Sequence, residues 1–121
     1  MRKLIWTAAV LIAVAVPGVR VWQGVLPAAA AQDHAVKVDD KDRDQQQWKF
    51  VPEELDIAVG DSVTWDLTDA QISHSATADD KSFDSGLIAP GDKWTHTFDK
   101  PGEYKYHCEP HPWKKGVIRV K

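Results

Sequence analysis

From residue 48 onward the chain predicts an all-β fold, an antiparallel sandwich or barrel. Three observations carry this. Apolar and polar residues alternate with period two almost to the C-terminus. Turn signals such as Gly60-Asp61, Pro90-Gly91-Asp92 and Pro101-Gly102 punctuate the alternation at short intervals. Beyond residue 32, no stretch of useful length carries the 3.6-residue apolar period of a helix. Many short strands bounded by Gly/Pro turns bury their apolar faces best as two packed layers.

The elements follow in order. Arg2 and Lys3 precede an apolar run over residues 4–16, broken by Pro17-Gly18, and Ala28-Ala29-Ala30-Ala31 offers small-residue cleavage sites. This is the pattern of a signal peptide over residues 1–31, with a retained N-terminal anchor as the alternative. The apolar run falls short of the roughly 20 residues that span a bilayer. Residues 32–47 are polar and rich in mixed charge, with Asp39, Asp40, Asp42 and Asp44 beside Lys41 and Arg43. They read as a charged, solvated linker, with residues 35–38 a possible first strand. The domain proper is expected over residues 48–121.

Within it, Leu55, Ile57 and Val59 alternate before the Gly60-Asp61 turn, and Val63, Trp65 and Leu67 alternate after it. That pair reads as a hairpin or a meander corner. Residues 68–73 form a loop, 74–77 a short strand, and 83–88 lead into the Pro90-Gly91-Asp92 turn. Trp94, His96 and Phe98 share one strand face. After the next turn, Tyr104, Tyr106 and Cys108 share another, opposite Glu103, Lys105 and His107. A last strand starts at Gly116.

The chain has 121 residues, room for one domain. It has a single cysteine, so no internal disulfide supports an exported fold. Removing Arg2, Lys3 and Arg20 with the signal peptide leaves 12 of the 15 basic residues against 18 acidic ones, a net charge of −6. That is no nucleic-acid footprint. It suits solubility and docking to a basic protein patch. No nucleophile–base pair or phosphate loop is visible, and an enzyme is not expected.

The chemistry concentrates in Cys108-Glu109-Pro110-His111-Pro112-Trp113. Cys108 shares the face of Tyr104 and Tyr106 and so points inward at a strand end. His107 points the other way and reads as a surface histidine. Pro110 bends the chain back so that the His111 imidazole and the Cys108 thiolate can meet one ion. A third donor must come from elsewhere. His34 lies in the linker, and His96 reads as a half-buried, hydrogen-bonded residue between Trp94 and Phe98. His74 follows an irregular loop at the start of a strand, where a side chain can be aimed at a neighbouring strand end. Two imidazoles and one thiolate suit copper in a trigonal plane, whereas zinc would recruit a fourth strong ligand. Trp48, Trp65 and Trp94 read as core. Trp113 is expected to form an apolar collar with Pro110 and Pro112 around the exposed edge of His111.

Several motifs together resemble the cupredoxins, small blue copper proteins of the amicyanin and plastocyanin type. They are Phe50-Val51-Pro52, Gly60-Asp61-Ser62-Val63-Thr64-Trp65, Phe83-Asp84-Ser85-Gly86-Leu87, Pro101-Gly102-Glu103-Tyr104 and the Cys108–His111 loop, and they span residues 48–121. The resemblance implies an eight-stranded Greek-key sandwich with one copper ion, cycling between Cu(I) and Cu(II), held by His74, Cys108 and His111. It implies single-electron transfer between redox partners, one docking near His111 and Trp113, by a monomeric protein in the periplasm or secreted. The rival reading is a copper-binding or copper-delivery protein. One departure stands out. Amicyanin-like loops continue His-Pro-Phe-Met, with Met a weak axial ligand, but here Lys114 follows His111-Pro112-Trp113, and Met1 is the sole methionine. Lys114 is expected to turn to water, leaving a trigonal site or one closed by the backbone carbonyl of Ser73. The alternatives are coordination by the Lys114 amine and admission of water.

Overall fold

The structure, a computed structural model, describes residues 30–121. The expected signal peptide lies outside the described residues but for its last two positions. The described residues form eight strands: β1 Asp33–Asp39, β2 Lys49–Val51, β3 Glu54–Ile57, β4 Ser62–Asp66, β5 Thr77–Ala78, β6 Lys93–Thr97, β7 Gly102–His107 and β8 Lys115–Val120. A 3-10 turn, Gln45–Gln47, precedes β2. The strands form two four-stranded sheets, β2-β1-β4-β6 and β3-β8-β7-β5. The sandwich is the expected one, but it is not antiparallel throughout: β1 runs parallel to β4, and β3 parallel to β8. Among the described residues no helix is long and apolar enough to cross a membrane.

The segment expected to be a linker is instead structural. Residues 33–39 form β1, which pairs with both β2 and β4. Val36 and Val38 face inward and are buried, while Asp33, Lys37 and Asp39 stay exposed. Only two buried valines mark the strand, and the surrounding charges that suggested a tether occupy its solvent face. The start of β1 is clamped by Asp61. Its Oδ1 accepts the Gln32 N–H at 2.9 Å, and its Oδ2 bonds His34 Nε2 at 2.9 Å and accepts the Ala58 N–H at 3.0 Å.

The Gly60-Asp61 turn is a corner between sheets rather than a hairpin. Among the described residues β3 pairs with β8 alone, and β4 with β1 and β6. Gly60 adopts φ +93°, a conformation costly for any residue with a Cβ. The core between the sheets is aromatic. Tyr106 packs against Phe50 at 4.7 Å and Trp65 at 5.4 Å between ring centroids, and Phe83 lies 5.6 Å from Trp65. Gly116 sits opposite Tyr106 on β8, where a Cβ would run into the tyrosine ring. The aromatic side chain thus takes the space that glycine leaves.

Candidate metal centre

His74 lies between β4 and β5. Its backbone pairs with Ile88 in both directions, donating to Ile88 O at 3.1 Å and accepting from Ile88 N at 2.7 Å. This bridge aims the imidazole at the end of β7. There the chain closes on itself in successive turns: His111 N–H donates to Cys108 O at 3.2 Å, Lys114 N–H to His111 O at 2.9 Å, and Cys108 N–H to Lys114 O at 3.1 Å. Ser75 stitches the two halves. Its N–H points at Cys108 Sγ at 3.4 Å, and its Oγ accepts the Glu109 N–H at 2.8 Å.

The result is convergence. Donor atoms of His74, Cys108 and His111 all lie within 4.8 Å of one another. Cys108 Sγ is 3.8 Å from His74 Nδ1 and 3.5 Å from His111 Nδ1. Nitrogen and sulfur ligands about 2.0 and 2.3 Å from one ion, at a trigonal angle, lie roughly 3.8 Å apart. The donor set therefore fits a metal with little movement. Cys108 and His74 are buried, while His111 keeps a half-buried edge.

The other histidines stay out of the centre. His34 bonds Asp61. His96 is half-buried and stacks on Trp94, with ring centroids 5.6 Å apart, and among the described residues no hydrogen bond holds its ring. His107 points outward between Asp79 at 2.6 Å and Glu109 at 3.0 Å. Partial burial pulls its pKa down, but those two carboxylates outweigh this and raise it.

Lys114 departs from expectation. It does not turn to water: it is 1% exposed, its amine sits 4.2 Å from the Phe50 ring centroid, and Nζ is 2.9 Å from His74 Nδ1. The stem packs as a hydrophobe and carries the amine into the pocket. Burial pushes its pKa down to about 8, against the opposing pull of Cys108 and Asp40. Burial likewise pushes His74 down to about 4, the Asp40 hydrogen bond opposing and the Lys114 charge reinforcing it. His111 is lowered by burial and then by Lys114. Both imidazoles are thus neutral at pH 7 and have a lone pair to offer. Ser73, the other axial candidate, is the half-buried residue just before His74.

Sequence reasoning missed two contributors. Asp40, one residue past β1, is fully buried against His74 Nε2 at 2.9 Å. Nothing local signals this, because the two residues are 34 apart in sequence. Trp48 is only half-buried, and its ring stands edge-on to both His74 (5.8 Å) and His111 (5.1 Å). Trp113 does flank His111, at 5.4 Å, but its Nε1 is tied down to Gln45 O at 2.7 Å.

Residues 36–121 match the sequence model of the copper binding proteins of the plastocyanin/azurin family. The chain is similar to a chloroplastic plastocyanin of Tetradesmus obliquus, 41% identical over 73 residues, covering 51% of this chain and 50% of that protein. It is also similar to amicyanin of Paracoccus denitrificans, 31% identical over 107 residues, covering 78% of this chain and 73% of that one. Among solved structures it resembles a purple cupredoxin from Nitrosopumilus maritimus, with TM-score 0.65 and 30% identity, covering 74% of this chain and 100% of that one. The chain thus spans only half the length of the Tetradesmus relative.

Proposed function

Because the chain belongs to the plastocyanin/azurin family of copper binding proteins, we propose that it is an exported carrier of single electrons whose copper is held by His74, Cys108 and His111. The convergence of one cysteine sulfur and two neutral imidazoles, with donors within 4.8 Å of one another, carries this reading. Bound copper supplies a one-electron couple; the protein supplies rigidity. The backbone bridges at His74 and the closed turns from Cys108 to Lys114 hold the donors in one arrangement. Little rearrangement then accompanies a change of charge. Trp48 and Phe50 keep the inner side dry, and the half-buried edge of His111 is the exit toward a partner protein. That partner docks over His111, Trp113 and the exposed Pro110 and Pro112. In this reading the fourth donor that closes the site is the buried Lys114 amine, which lies 2.9 Å from His74 Nδ1. The N-terminal segment directs export to the periplasm or beyond, and the carrier acts as a monomer.

The test is spectroscopic. Residues 32–121, loaded with Cu(II), are expected to show an intense thiolate-to-copper absorption that bleaches and returns over repeated one-electron cycles. Cys108→Ser is expected to abolish it. A colourless Cu(I) adduct that surrenders its metal to a chelator would replace the carrier with a delivery protein.

A further inference from the structure

A carboxylate with no accessible surface is an unusual neighbour for a metal ligand, and Asp40 is one: its side chain is 0% exposed, like that of His74. A single oxygen, Oδ2, takes three hydrogen bonds: from His74 Nε2 at 2.9 Å, from the Gln71 N–H at 2.8 Å and from the Ile72 N–H at 3.1 Å. The second oxygen, Oδ1, is buried with no partner among the described residues. Burying a carboxylate is costly, and leaving half of it unbonded more so. A backbone cap for Gln71 and Ile72 alone would need neither the charge nor the contact with the imidazole.

Resting on the copper reading above, we infer that Asp40 is a positioning residue of the metal centre that also sets its charge. By accepting from Nε2, it fixes the ring so that the Nδ1 lone pair faces the pocket holding Cys108 Sγ, 3.8 Å away, and Lys114 Nζ, 2.9 Å away. Hydrogen bonds of this kind select the tautomer and orientation of a ligating histidine and raise its basicity. The same carboxylate places a negative charge in a dry pocket, across the His74 ring from the donor atom Nδ1. That charge favours Cu(II) over Cu(I). The segment supplying it, the turn after β1, is thereby part of the centre rather than an appendage to it.

Asp40→Asn separates charge from shape. The amide oxygen can take the place of Oδ2 and keep all three hydrogen bonds, while the amide nitrogen takes the place of the unbonded Oδ1. Cu(II) affinity is expected to fall about 10- to 100-fold. With Cu(I) affinity nearly unchanged, the reduction potential then rises by about 59 mV for each tenfold. A folded Asp40→Asn protein with the parent's potential and Cu(II) affinity overturns the inference, because a purely structural cap would leave both alone. Nitrogen NMR of the metal-free parent provides a second arm that does not need the variant to fold. His74 is expected as the Nε2–H tautomer with that proton protected from exchange; a freely exchanging ring or the Nδ1–H tautomer also overturns it. Should the parent fail to take up copper, the carrier reading falls, while the ring measurement still decides the role of Asp40.

Discussion

Lys114 occupies the place where the resembled loops carry a methionine, and its surroundings decide what it does there. Its amine lies 2.9 Å from the Nδ1 that a metal would use, in a pocket it shares with Phe50, Cys108 and Asp40. Two atoms bound to one ion at about 2.0 Å each lie roughly 3 Å apart, so the amine already stands at the distance of a co-ligand of His74. An ammonium beside Cu(II) in a dry pocket is unfavourable, whereas a neutral amine is a good donor to it. Lys114→Leu keeps the apolar stem and removes the donor. Its copper form is expected to show a shifted charge-transfer band. Its reduction potential is expected to rise by about 59 mV per tenfold loss of Cu(II) over Cu(I) affinity. Voltammetry checks this; a lower potential would show that Lys114 stays protonated and repels the oxidised ion instead.

At the scale of elements, β1 is the piece whose importance is least visible in the chain. It contributes Val36 and Val38 to the core and lies between β2 and β4 in its sheet. Burying two valines is worth about 3–6 kcal/mol, against a total stability of about 5–15 kcal/mol for a domain. Removing β1 also uncovers the β4 edge and the Asp61 clamp. A fragment of residues 48–121 is therefore expected to lose cooperative thermal melting and thiolate–copper colour together, while residues 32–121 keep both. Calorimetry and optical titration of the two fragments check this, and a cooperative transition in the shorter one would refute it. What was legible in the sequence follows the same division. Alternation exposed the long strands, the inward set of Cys108 and the outward set of His107, because period two is a local property. The C-x-x-H spacing and the loop–strand position of His74 pointed to three residues the fold does bring together. Asp40, the place of Trp48 beside the two histidines and the choice among the alternatives for Lys114 stayed hidden, because each depends on contacts between segments far apart in the chain. A strand marked by two valines among charges also looks locally the same as a tether.

At the scale of the whole molecule, the buried charges around the centre form a balance that copper must preserve. Without metal, the pocket pairs the Lys114 ammonium with the Asp40 carboxylate across a neutral His74. Cu(II) brings two positive charges. If the Cys108 thiol and Lys114 each give up a proton as the ion binds, the pocket's net charge does not change, and the penalty for burying charge is avoided. His74, lowered to about 4, has no proton to lose at pH 7. Lys114, lowered to about 8, still carries one. About two protons are therefore expected to leave per Cu(II) bound at pH 7. The number should fall by one as pH rises through about 8, where Lys114 is already neutral. The metal-free protein should meanwhile gain stability between about pH 8 and the ordinary lysine value of 10.5, where the unfolded chain holds the proton that the native one has lost. Lys114→Leu is expected to release one proton fewer at pH 7 and to lose the step near pH 8. Calorimetric titration in buffers of differing ionisation heat counts the protons directly. Equal release from the parent and the variant would mean that the amine keeps its proton, and the site would then hold its extra charge against copper rather than exchange it.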